Sequence, residues 1–172
     1  SGLIETTQDG SLQVSDNHRI IVWPSGEDIY HSNVLNIRNL SSDVQKSITV
    51  PQGQAIRPLG FMDEDIIYGI AHGADVVEEH SGRILFPMYT ICICNSDGEL
   101  LKEYRQTGVY VTGCTVADNQ ITLDRAMRLE SGAYQEIEPD HVMNNMEGET
   151  GAISGAWRFG CASPRRASPP WC

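Results

Sequence analysis

Basic residues are scarce in this chain: 12 Lys and Arg stand against 23 Asp and Glu, for a formal net charge of −11. Nucleic-acid phosphates and anionic lipid headgroups are both held by neutralising Lys and Arg, so neither is an expected partner. The deficit is also uneven. Arg158, Arg165 and Arg166 fall in the last sixteen residues, which hold no acid, leaving nine basic against 23 acidic residues before them. No run approaches the roughly twenty apolar residues of a transmembrane helix. The chain opens on Ser1-Gly2-Leu3-Ile4-Glu5, with neither a basic start nor an apolar run behind it. That opening reads as a remnant of tag cleavage or of fragment choice.

Reactive constellations are lacking as well. No Gly-x-Ser-x-Gly elbow occurs, and Gly151-Ala152-Ile153-Ser154-Gly155 carries its Ser one place too late. The five cysteines include no Cys-x-x-Cys pair. Cys92 and Cys94, two apart in a β-branched run, share one strand face, where disulfide geometry is seldom met. With Cys114 they read as small buried thiols. The sequence therefore reads as a non-enzyme without a cofactor.

What the chain does have is repetition. An apolar residue, a spacer, an Asp and a polar turn residue lead into a β-branched run three times. These are Val14-Ser15-Asp16-Asn17 before Ile20, Phe61-Met62-Asp63-Glu64 before Ile66, and Val116-Ala117-Asp118-Asn119 before Ile121. The Asp residues are 47 and 55 positions apart, close to the roughly 40–50 residues of one four-stranded propeller blade. A later apolar strand, a polar turn and a Lys-bearing strand keep step: Val34 to Ile37 with Lys46 to Val50, then Tyr89 to Ile93 with Leu100 to Tyr104. Asp, Asn and Gly close hairpins and β-branched residues fill the pleats between them, so each unit reads as an antiparallel four-stranded meander. Strands are also expected over Arg19 to Trp23, Ile66 to Ile70, Tyr110 to Val116, Ile121 to Arg128 and Tyr134 to Ile137. Glu138-Pro139-Asp140 should end the last of these. Ile21, Ile67, Ile91 and Ile121 are the expected core positions.

These landmarks, with the outer strand Gly98 to Tyr104, resemble the β-propellers of the TolB-like and WD-repeat kind. The stretch from Ala55 to Asn145 also resembles propeller-bearing surface lipoproteins, of uncharacterised function, from Gram-positive gut bacteria. The chain departs from the WD-repeat pattern in lacking its Gly-His and Trp-Asp dipeptides. The resemblance implies an all-β fold of blade-like units, an extracytoplasmic location at the cell surface, and membrane anchoring only through a lipidated segment upstream. The units run over 11–54, 55–108 and, in part, 109–146, with a remnant at 1–10. After them 147–172 forms an irregular tail, proline-bearing and rich in Arg, of vector-derived or frame-shifted character. About four blades are needed to close a propeller. The chain thus reads as a fragment whose open strand edges give a route to self-association, and a self-contained β-sandwich is the alternative.

Three stretches invite a site. His72 to His80 gathers two His with Asp75, Glu78 and Glu79, but its spacing is not the helical His-Glu-x-x-His of zinc enzymes. Asp97 and Glu99 sit in an oxygen-rich turn, and Asp63-Glu64-Asp65 clusters carboxylates. Calcium takes about six to eight oxygen ligands, more than either stretch supplies. No metal site is therefore expected at His72, His80, Asp97 or Glu99. The segment bearing His72, Asp75, Glu78, Glu79, His80 and Arg83 reads instead as a projecting loop that recognises a partner, whether protein, peptide or glycan. A non-catalytic extracellular binding or scaffold module is the favoured function, and an accessory propeller domain of a surface hydrolase is the second.

Overall fold

A computed structural model of the chain describes residues 12–26, 28–117, 119–143 and 157–159. The described chain is all-β, with antiparallel sheets and no α-helix. Strands β1 (Gln13–Val14), β2 (Ile20–Pro24), β3 (Val34–Asn39) and β4 (Val44–Thr49) form a four-stranded sheet in chain order. The middle sheet is β5 (Gln54–Met62), β6 (Asp65–His72), β9 (Met88–Cys94) and β10 (Leu100–Tyr104), paired in that order. Strands β11 (Val109–Ala117), β12 (Gln120–Arg128) and β13 (Tyr134–Met143) form a three-stranded meander, joined to the middle sheet through the pair Val111–Met88. A two-stranded hairpin, β7 (Val77–Glu78) with β8 (Ile84–Leu85), leaves the middle sheet between β6 and β9. A final strand, β14 (Trp157–Phe159), adds to the outer edge of β10.

Local chemistry sets the corners. In the first repeated turn Ser15, 1% exposed, accepts from the amide of Ile20 at 3.0 Å and contacts Asn17 Oδ1 at 2.7 Å. The left-handed residue there is His18 (φ 58°), whereas Asp63 (φ 55°) and Asn119 (φ 61°) take that role in the other two. Asx-type residues tolerate this backbone because the short side chain bonds locally. Asp118 lies outside the described residues. The turns meet: Asn17 donates to Glu64 at 2.8 Å, and Asp16, Asp63 and Asn119 line one hollow of about 460 Å³ with Gln13, Leu59 and Val116.

Alternation places the core. On one face of the middle sheet Ile56, Ile66, Tyr68, Cys92 and Cys94 pack against Ile20, Val22, Leu35 and Ile37 of the first sheet. On its other face Ile67, Ala71, Ile91 and Ile93 pack against Val111, Ile121 and Leu123. The middle sheet is thus covered on both sides, and Ile21, Ile67, Ile91 and Ile121 are all buried as expected.

Three expectations need correction. β13 does not stop at Glu138-Pro139-Asp140 but runs through it to Met143. It is the edge strand, and the register slips between Leu123 and Arg125 of its partner, leaving Glu138 and Pro139 in a bulge that asks for no proline N–H. The tail is not wholly irregular, because Trp157–Phe159 pairs with Tyr104, Glu103 and Lys102; the rest of 147–172 lies outside the described residues. Strand β5 was absent from the expected set because Pro58 and Gly60 interrupt its apolar pattern, and here too the register slips between those two residues.

Candidate functional site

The segment from His72 to Arg83 does not project freely. β6 extends to His72, a single 3-10 turn covers Gly73–Asp75, and the β7–β8 hairpin pairs Val77 with Leu85 and Glu78 with Ile84. Gly82 closes it with φ +84°, a left-handed backbone that suits glycine. Asp75 turns inward, its side chain 12% exposed, and meets Arg128 of β12 at 3.3 Å. Arg128 also lies over the Tyr134 ring, 5.9 Å from its centroid, and Tyr134 meets Tyr110 edge to face at 5.4 Å. The hairpin is thereby tied to the outward face of β11–β13.

Between them lies a cleft of about 370 Å³. Asp75, Glu79 and Arg83 line it from the hairpin, and Arg128, Tyr134 and Glu136 from the sheet. The Tyr134 hydroxyl is buried without a hydrogen-bond partner among the described residues, and burial pushes its pKa up. Asp75 and Arg128 satisfy one another. That leaves Glu79 and Glu136 against Arg83, one carboxylate in excess, with no ion pair to any of the three among the described residues.

The expected recognition residues therefore divide. Asp75, Glu79 and Arg83 come together at the cleft, whereas Glu78 and His80 are exposed on the hairpin outside its lining. His72 belongs to a different surface, its ring stacked on Tyr89 at 4.5 Å and 16°. Asp97 and Glu99 form an ordinary hairpin turn: Asn95 Oδ1 accepts from both their amides at 3.0 Å, and its Nδ2 donates to Glu99 at 3.0 Å. Among the described residues no three His, Cys, Asp or Glu side chains gather as a metal site. Arg128, Tyr134 and Glu136 were not among the expected residues. Arg128 lies 53 positions from its partner Asp75, and no local pattern signals such a pair.

Nothing in the described chain offers an activated thiol. Burial pushes Cys92, Cys94 and Cys114 up to about 12, which keeps all three protonated at neutral pH, where the thiolate is the nucleophile. No protein-family model matches the chain, and no curated protein matches it.

Proposed function

We propose that this chain is a non-catalytic binding module built on propeller blades and displayed outside the cytoplasmic membrane, with the hairpin cleft as the recognition site for a cationic peptide segment. The carrying observation is the cleft's unpaired carboxylates, Glu79 and Glu136, on a protein of net charge −11. A Lys or Arg side chain entering there meets an excess of negative charge and a buried Tyr134 hydroxyl able to bond it.

The propeller reading draws support from the middle sheet, because a two-layer sandwich leaves each sheet one solvent face. The three Asp-type turns sharing one hollow support it too, as equivalent corners of stacked repeats would. The surface location rests on the resemblance to propeller-bearing lipoproteins.

Peptide display on the purified protein tests the function. Enrichment of Lys- or Arg-bearing sequences is expected, with amide shifts on binding confined to 74–85 and 126–136. A Glu79→Gln, Glu136→Gln double variant should bind the selected peptide about tenfold more weakly. Enrichment of acidic or purely apolar peptides, or shifts elsewhere, would overturn the proposal.

A further inference from the structure

A second and larger cleft opens where the first sheet and the middle sheet part. Its floor continues the face that holds Ile66 and Cys94: Tyr68, Cys92 and Glu103 stand in one cross-strand row, and Ile70 pairs with Thr90 in the next. Ser47, Thr49, Val50 and Pro51, from β4 and the turn that follows it, form the opposite wall. The enclosed volume is about 710 Å³, inside the roughly 300–1,000 Å³ of small-molecule sites.

The rim is organised around Tyr89. His72 covers one face of its ring at 4.5 Å, and the Arg105 guanidinium lies 5.1 Å from the ring centroid. The Tyr89 hydroxyl donates to Gln54 Oε1 at 2.6 Å. Tyr89 therefore fixes two side chains at once, and each keeps unused capacity. Arg105 makes no ion pair with any described residue. Gln54 Nε2 makes no hydrogen bond with one either, its oxygen being the bonded atom. Glu103 accepts from Thr90, 3% exposed, at 3.2 Å through Oε1, and its other oxygen has no hydrogen-bond partner among the side chains that line the cleft. A planar cation, an amide donor and a carboxylate acceptor thus stand above an apolar floor of Tyr68, Ile70 and Leu100.

We infer that this cleft binds a short glycan carrying a carboxylate, with Arg105 on the carboxylate, Gln54 and Glu103 on hydroxyls, and the sugar's C–H face on Tyr68 and Ile70. A guanidinium fork matches a carboxylate in two parallel hydrogen bonds. Sugar hydroxyls both donate and accept, which suits Glu103 and Gln54 together. A simple aliphatic acid would satisfy Arg105 and leave those two desolvated, at a cost in affinity.

Titration with cellobiouronic acid, with neutral cellobiose and with acetate, read by amide shifts and calorimetry, tests the inference. We expect saturable binding of the acidic disaccharide, at least about tenfold weaker binding of cellobiose, and acetate weaker still. Shifts should map to 47–54, 68–70, 89–92 and 103–105. Arg105→Gln should abolish the preference for the acidic sugar while leaving the spectrum folded, and Gln54→Ala should weaken both disaccharides. Acetate binding as tightly as the disaccharide would reduce the site to an adventitious anion contact. No saturable binding of the acidic disaccharide, or binding indifferent to Arg105→Gln, would overturn the inference. This site shares no lining residue with the hairpin cleft, so failure of either proposal leaves the other standing.

Discussion

The middle sheet and the β11–β13 sheet use strands of similar length and the same turn chemistry, yet they are held in different ways. In β9, Met88-Tyr89-Thr90-Ile91-Cys92-Ile93-Cys94, six of the seven residues are buried, and Tyr89 is half-buried. β12 alternates instead: Ile121 and Leu123 go into the core, Gln120 and Thr122 between them are half-buried, and Asp124, Met127 and Arg128 are exposed. β13, beyond it, offers Gln135, Glu136, Glu138, Pro139 and His141 to solvent. An uncharged β-branched run marks a strand clasped from both sides, and strict alternation marks one with a wet face. Each additional buried Ile stabilises by about 1.5–3 kcal/mol, so the middle sheet should be the anchor and the third sheet the part that yields.

Ile66→Ala and Ile67→Ala attack the two faces of the middle sheet separately. Each should cost about 2–5 kcal/mol in chemical denaturation, since both are fully buried, one in each core. Thr115→Ala and Gln135→Ala on the third sheet should stay within about 0.5 kcal/mol. If either Ile variant matched the surface pair, its face would be open and the double cover would be wrong. Glycines sharpen the contrast at a smaller scale. A Cβ at Gly69 would overlap Met88 Sδ and fall 2.9 Å from Met88 Cγ and 3.1 Å from Ile91 Cδ1. Gly69→Ala should therefore cost about 1–3 kcal/mol through overpacking. At Gly113 the obstacle is Asp124 Oδ2 at 2.7 Å, the end of an exposed side chain that can rotate. Gly113→Ala should cost less than about 1 kcal/mol, and equal losses would mean that the third sheet is as tightly held.

Thiol labelling gives the finest discrimination. Cys92 and Cys94 are buried in the middle sheet, and Cys114 is half-buried in β11. In a Cys161→Ser, Cys172→Ser background at about pH 8 all three are protonated, so exposure and not ionisation sets the order of reaction. Cys114 should label first through local opening, with Cys92 and Cys94 following only at the rate of global unfolding. Simultaneous labelling would erase the distinction between the sheets. Because the folded pKa values are raised from 9.0 to about 12, the folded state holds these protons more tightly than the unfolded one. Stability should be intact below about pH 9 and fall as pH rises towards 12.

The strands were legible because a single property, β-branched runs between Asx and Gly turns, specifies them locally. Leu100–Tyr104 has the bounds read from sequence, and the expected stretches from Ile66, Tyr89, Tyr110 and Ile121 each fall within a strand that extends slightly beyond them. β5 and the end of β13 escaped because proline reads as a stop, whereas at a register slip or on a sheet edge its missing N–H costs nothing. The candidate sites were barely legible. Asp75, Glu79 and Arg83 stand out as a local charge cluster, but the cleft they line is completed by Arg128, Tyr134 and Glu136, brought to them only by the packing of a later meander. The Tyr89 assembly was hidden for the same reason, joining Gln54, His72 and Arg105 from three elements.

The clasp on β9 has a further side. Seven residues without a charge or a proline, with Tyr, Thr and two Ile among them, are also the composition that pairs readily with copies of itself. Before the first sheet and the β11–β12 hairpin close over it, this segment is the part of the chain most exposed to intermolecular pairing, and slow closure would feed misassembly. Pro87 on one flank and the Asp97-Gly98-Glu99 turn on the other stand where gatekeepers belong. The residues that make the finished fold rigid are thus the ones that make its formation hazardous, and recovery of soluble protein should respond to Asp97 more than its exposure in the folded chain would suggest.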